Sequence, residues 1–225
     1  MHRVMKFAVR LLGCCLCFSA VALAQQSADQ TLTGDVAVDP AAAIRREHLV
    51  VGVLGGTGMG LFDRTNVRYA RAGFLVGGVM TGEMGPGWLH GTFEEDLVVM
   101  PVDYIVWNGY RAVYGFSVSP VNLKWNFTRP RRTIPYLIAT GSMQHSVIKV
   151  PPPNTSLVNF TEGIGIGFNH FLRPGRSVSF EFRANHFSNA SLGDHNSGIN
   201  SSLQFSLGYN WWKCQPRSPN HASTD

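Results

Sequence analysis

Phe180-Glu181-Phe182-Arg183-Ala184-Asn185-His186-Phe187-Ser188-Asn189-Ala190 decides how the chain is read. Taken as a strand, its side chains alternate between two faces. Val178, Phe180, Phe182, Ala184, His186 and Ser188 share one face, and Ser179, Glu181, Arg183 and Asn185 share the other. In a protein with a dry core, the apolar face would be buried and would take a histidine and a serine with it. In a barrel that crosses a membrane the order reverses: the apolar face meets lipid and the polar face fills the lumen. The second arrangement suits both faces and lets Glu181 and Arg183 pair inside.

The flanking sequence repeats this pattern. Eight strands are expected, at about residues 47–56, 67–81, 88–102, 112–127, 135–146, 157–171, 177–188 and 201–212. In the eighth, Leu203, Phe205, Leu207, Tyr209 and Trp211 alternate with Ser202, Gln204, Ser206, Gly208 and Asn210. In the sixth, Ile164, Ile166 and Phe168 alternate with Gly163, Gly165 and Gly167, which would leave room for larger lumenal side chains. The fourth changes phase at Ser119-Pro120, where a β-bulge tolerates proline. The fold expected is therefore all-β, an eight-stranded antiparallel transmembrane β-barrel. A soluble ligand-carrying barrel is the rival, but strands this long exceed the ~5–6 residues common in soluble proteins.

The domain limits follow. Arg3, Lys6 and Arg10 precede an apolar run, and Ala22-Leu23-Ala24 has the form of a cleavage site, so residues 1–24 read as a signal peptide. The run is too short for the ~20 residues of a spanning helix. Residues 25–45 are polar and read as a flexible or weakly helical lead-in, 46–213 as the barrel and 214–225 as a tail. Three of the four cysteines lie in the signal, which leaves Cys214 and no intramolecular disulfide. The net charge of +5 falls to +2 once the three basic residues of the signal are removed, so nothing favours nucleic acid.

The links give an orientation. Gly85-Pro86-Gly87, Arg129-Pro130-Arg131-Arg132 and Arg173-Pro174-Gly175 read as tight turns. They alternate with longer links near residues 57–66, 103–111, 149–156 and 189–200. Outer-membrane barrels keep short turns in the periplasm. The seventh strand then runs outward, and Ser188 comes to the outer rim of the apolar band. Trp88, Trp125, Trp211 and Trp212, near strand ends, are expected in the interfacial girdle.

Serine becomes a nucleophile only with a base in reach. Residues two apart on a strand lie on one face, about 6.5–7 Å apart at Cα. His186 as base and Ser188 as attacking oxygen fit that spacing, although an isolated His-x-Ser is more often structural. The sequence that follows adds to it. From His186-Phe187-Ser188-Asn189-Ala190 through Asn196 and Gly198, the chain resembles the outer-membrane lipid A 3-O-deacylases (PagL-type) and the related acyloxyacyl hydrolases. The resemblance extends more loosely over most of the chain after residue 24, as at Tyr114-Gly115-Phe116-Ser117-Val118-Ser119-Pro120.

The resemblance implies a carboxylic ester hydrolase in the outer membrane, crossing it many times. Its partner would be lipid A of lipopolysaccharide in the outer leaflet, and it would need no metal or cofactor. It implies His186 as base and Ser188 as nucleophile. Asn189 and Asn196 fall on activity-critical positions, for which oxyanion stabilisation is reasonable. The amide of Ser191 is a further candidate donor, at a position where the family commonly has glycine. The family's acidic residue falls on Asn200, which can accept a hydrogen bond from imidazole but offers it no charge. A homodimer is left open. The alternative is a non-enzymatic outer-membrane barrel with a structural or adhesive role.

Glu162 raises a separate question. It shares the apolar face of the sixth strand with Ile164 and Ile166. A tight turn near 173–176 would bring it level with His186. A register shift would leave it at the rim or in the lumen, and this is the plainer expectation, because a carboxylate facing lipid is costly. His90, His145, His170 and His195 show no metal-ligand spacing.

Overall fold

The structure, a computed structural model, describes residues 39–45, 48–107, 112–150, 156–193 and 199–214. For Asp63, Ile199, Asn200 and Cys214 it describes the backbone alone. The expected signal peptide, most of the lead-in, the tail beyond Cys214, and Asn196 lie outside the described residues.

Eight strands run in order: β1 (His48–Gly60), β2 (Val67–Val79), β3 (Gly91–Trp107), β4 (Val113–Phe127), β5 (Thr133–Val150), β6 (Ser156–Arg173), β7 (Arg176–Ser188) and β8 (Ile199–Cys214). Each pairs antiparallel with the next, and β8 closes on β1 through a register running from His48↔Cys214 to Gly60↔Ser202. Closure leaves every strand paired on both sides, the condition for crossing lipid with strands. Even the 13-residue strands rise about 30 Å at a tilt of ~40°, enough for the apolar band.

The barrel is inside out, as the alternation requires. The outer wall exposes Ile164 at 71%, Leu207 at 65% and Ile166 at 58%, along with Val51, Val53, Phe74, Val76, Leu137 and Phe205. The lumen is lined by buried polar residues. Lys124 Nζ lies 2.8 Å from Glu94 and 2.5 Å from Asp96. Asn126 donates to the second oxygen of Glu94 at 2.8 Å, and Tyr136 donates its hydroxyl to Glu181 at 3.1 Å. Arg183 Nε stands 2.6 Å from Glu181 Oε1, close as an ion pair although its N–H is not aimed as a hydrogen bond. The lumenal pairing of Glu181 with Arg183 is thus as expected.

Glycine makes this lumen possible. A Cβ at Gly165 would meet the Phe182 carbonyl at 2.3 Å and Arg183 Cγ at 2.6 Å. One at Gly167 would meet the Tyr136 ring at 2.4 Å. The long side chains of β5 and β7 lie across a row of β6 that carries none.

Apolar clusters close both ends of the polar layer. At the end where β1 begins and β8 finishes, Val50, Leu75, Val79, Ile134, Phe171 and Trp212 pack with Ala41, Ala43 and Ile44. Residues 39–45 form a turn and a short 3-10 helix, Ala42–Arg45. Arg45 pairs with Asp39 and Glu83, each at 2.9 Å, and donates to the carbonyls of Thr128 and Pro130. At the opposite end Val67, Tyr69, Ile105, Trp107, Val113, Val150 and Phe187 form the second cluster.

The bulge in β4 falls where proline marks it. Val118 pairs with Met143 and Val121 with Gly141, so β4 carries one residue more than β5 across Ser119-Pro120. A second, unforeseen bulge lies in β3. Ala72 pairs with Val102 and Phe74 with Val99, which places the extra residue at Met100-Pro101.

Two expectations are corrected. The links do not sort into short and long by end: eleven residues (80–90) separate β2 from β3 and ten (189–198) separate β7 from β8, while 57–60 and 103–107 continue β1 and β3. Strands that project past lipid carry polar residues and glycine, so their sequence looks like loop. Trp212 is also not a girdle residue. It is 4% exposed, and its indole N–H donates to Ser177 Oγ at 2.9 Å inside the lumen. Alternation demands this, because its neighbour Trp211 belongs to the outward row.

Candidate functional site

β7 positions the candidate pair by its pleat. Glu181, Arg183, Asn185 and Phe187 are buried, Ala184 and His186 are exposed, and Ser188 is half-buried at the strand end. His186 and Ser188 thus belong to the outer wall, at the end of the barrel opposite its terminal strands' free ends. The residues between them anchor that end from inside. Phe187, 4% exposed, enters the apolar cluster with Tyr69, Ile105 and Trp107. Asn185 donates to Tyr69 Oη at 3.5 Å, and that hydroxyl lies 3.2 Å from Ser202 Oγ.

After Ser188 the chain turns sharply. Asn189 is 1% exposed, and its Oδ1 accepts the Ser191 N–H at 3.0 Å. The Asn189 carbonyl accepts the Leu192 N–H, also at 3.0 Å. Ala190 at φ 49° and Ser191 at φ 61° both hold left-handed backbone. A side chain that bonds its own backbone two residues on is a usual way to form such a turn. The Ser191 amide, expected as an oxyanion donor, is here given to Asn189.

The strands on either side complete the surroundings. On β6, Phe160 pairs with Ser188, Glu162 with His186 and Ile164 with Ala184. Glu162 is exposed, whereas Thr161 beside it is buried and a Cβ at Gly163 would strike Asn185 Oδ1 in the lumen at 2.2 Å. Glu162 therefore faces outward level with His186, and the expectation of a register shift into the lumen is corrected: the tight turn at 174–175 sets the register. On β8, Asn185 pairs with Ser202 and Phe187 with Ile199, so β8 carries an extra residue opposite His186. That bulge, at Asn200-Ser201, puts the backbone of Asn200 beside the histidine. Bulges concentrate where a strand must re-aim a side chain near a site. Neither the bulge nor the anchoring by Phe187 leaves a local signal in the sequence. Among the described residues no three His, Cys, Asp or Glu side chains cluster as metal ligands would.

An apolar wall, a polar and closed lumen, and eight strands define the class: the chain is a multi-pass outer-membrane β-barrel, with a histidine, a serine and a carboxylate on its exterior. Within that class it belongs to the lipid A 3-O-deacylase (PagL) family, whose model matches residues 81–210 and so spans β3 to most of β8. Among solved structures it is similar to the outer membrane enzyme PagL, at 19% identity over 72% of this chain and 98% of that one, with a TM-score of 0.49. It is also similar to Neisserial surface protein A, at 14% identity over 73% and 96%, TM-score 0.42. The N-terminal β-barrel domain of Pseudomonas aeruginosa OprF gives 12% identity over 74% and 100%, TM-score 0.43. No curated protein matches the chain.

Proposed function

We propose that the chain is a serine esterase of the outer membrane that removes the ester-linked acyl chain at the 3 position of lipid A. The observation that carries this reading is the outward placement of His186 and Ser188 at the far end of β7. In this reading the end of the barrel where β1 begins and β8 finishes lies in the periplasm. From Arg176, His186 then stands about 25 Å up the wall, at ~3.3 Å per residue and a tilt of ~40°. That height is the outer leaflet, where head groups meet the first carbons of the acyl chains. The substrate reaches the site by lateral diffusion and needs no pocket in the protein. Membership of the lipid A 3-O-deacylase family supports the choice of ester.

His186 takes the proton of Ser188 Oγ as that oxygen attacks the acyl carbonyl. The tetrahedral oxyanion collapses, the C–O bond to the sugar breaks, and His186 returns the proton to the departing 3-hydroxyl. Water, deprotonated by the same imidazole, then cleaves the acyl-serine and releases a fatty acid. Asn189 and Asn196 are the proposed oxyanion stabilisers, and a donor there is worth roughly 10²–10³ in rate. Ser191 contributes through the turn that its amide closes with Asn189. Asn200, whose backbone lies beside His186, takes the place of the family's acidic residue and brings no charge to it.

The test is fatty-acid release from purified lipopolysaccharide in detergent micelles, with a fluorophosphonate to label the nucleophile. The wild-type protein releases hydroxy fatty acid and carries the label on Ser188. Ser188→Ala folds, shown by heat-modifiable gel migration, and does neither. Equal release by both proteins, or none from a folded wild type, would return the chain to a structural role.

A further inference from the structure

We infer that Glu162 is the positioning residue for His186, an inference that rests on the esterase reading above and deepens it. β6 faces lipid with Val158, Phe160, Ile164, Ile166 and Phe168, and Glu162 is the one acid in that row. A carboxylate in an apolar outward row costs most at mid-bilayer and less toward the interface, and a partner offsets that cost at either depth. Glu95, which also points outward, lies at the terminal end instead. It pairs with Gly78, which pairs with Leu49 of β1, and Leu49 in turn pairs with Lys213. Glu162 has no such position at the base of the wall; its partner across the sheet is His186 itself. Directly opposed residues on one face hold their Cβ atoms about 4.5–5.5 Å apart, which brings a glutamate and an imidazole within hydrogen-bonding reach.

The chemistry calls for such a group. A catalytic imidazole must present one nitrogen to the serine, and a third group bonded to the other nitrogen fixes the tautomer and steadies the imidazolium that forms. A carboxylate performs both tasks, an asparagine only the first. The geometry of the wall supplies the carboxylate from β6, on the side of His186 away from the β8 bulge. Around Glu162 the sheet leaves space: its partner on β5 is Gly141, where an added Cβ would find its nearest neighbour, Val121 Cβ, at 3.6 Å. The residue directly opposed to Glu162 on β5 thus offers the carboxylate no hydrogen-bonding side chain to compete with His186.

The experiment compares wild type, Glu162→Gln, Glu162→Asp and Ser188→Ala on lipopolysaccharide micelles, with kcat and KM determined separately. Glutamine keeps the shape and the hydrogen-bonding capacity and loses the charge. Glu162→Gln is expected to lower kcat by roughly 10²-fold with KM within about twofold, and Glu162→Asp to recover most of that loss. A contact that only holds the wall together would move both parameters, or neither, and would gain nothing from aspartate. Glu162→Ala assayed with and without formate repeats the test in a second background, where formate is expected to raise kcat. Unchanged kcat in folded Glu162→Gln, with Ser188→Ala inactive, overturns the role of Glu162 and leaves the esterase standing. Activity in Ser188→Ala overturns the esterase reading itself.

Discussion

Ser191 holds left-handed backbone at φ 61°, a conformation that costs a residue with a Cβ roughly 1–2 kcal/mol and glycine nothing comparable. The torsion is a physical reason for glycine to be preferred at this position. Ser191→Gly is expected to raise stability by about 1 kcal/mol, and a β-branched Ser191→Val to lower it by at least as much; thermal unfolding in detergent measures both. No pattern of neighbours around Ser191 reveals that torsion, so the strain was invisible in the sequence alone. Glu162 was half legible. Its face follows from parity with Ile164 and Ile166, but its height follows only from the register that the turn at 174–175 imposes.

At the scale of the element, β7 works as a blade gripped from within. Phe187 fills the apolar cluster at the outer end while His186 and Ser188 project from the other face. Phe187→Ala should cost about 3–5 kcal/mol, the usual price of an emptied aromatic site. It should also lower activity by loosening both neighbours; urea titration of the folded barrel and the micelle assay check the two effects separately. The strands themselves were legible because period-2 alternation survives wherever one face meets lipid. Their ends were not, since residues 57–60 and 103–107 continue past the apolar band. There the distinction between lipid and water no longer sorts side chains by hydrophobicity. Pro120 gave away its bulge by breaking the phase of β4. The bulge at Pro101 kept its strand apolar on both sides, Val98-Val99-Met100 before it and Val102 after, and so left no phase break to see.

For the whole molecule, the lumen carries the buried ionic layer and the wall carries the proposed site. Two carboxylates, Glu94 and Asp96, share the ammonium of Lys124 in a buried layer capped at both ends by apolar clusters. Removing one member of a buried ionic group typically costs about 3–5 kcal/mol. Lys124→Met is therefore expected to lower the urea midpoint sharply without touching the outer wall, and any barrel that does fold should keep its micelle activity per folded molecule. The inside-out arrangement was fully readable from β7 and β8. The capping clusters were not: Trp212 reads as a girdle residue until the parity of its neighbour is enforced. Mass spectrometry of lipid A from cells making wild-type or Ser188→Ala protein tests the proposed outward-facing hydrolase most directly. Lipid A lacking one 3-linked hydroxyacyl chain is predicted with the wild type and intact lipid A with the variant; intact lipid A from both, with the wild-type barrel folded in the membrane, would contradict it.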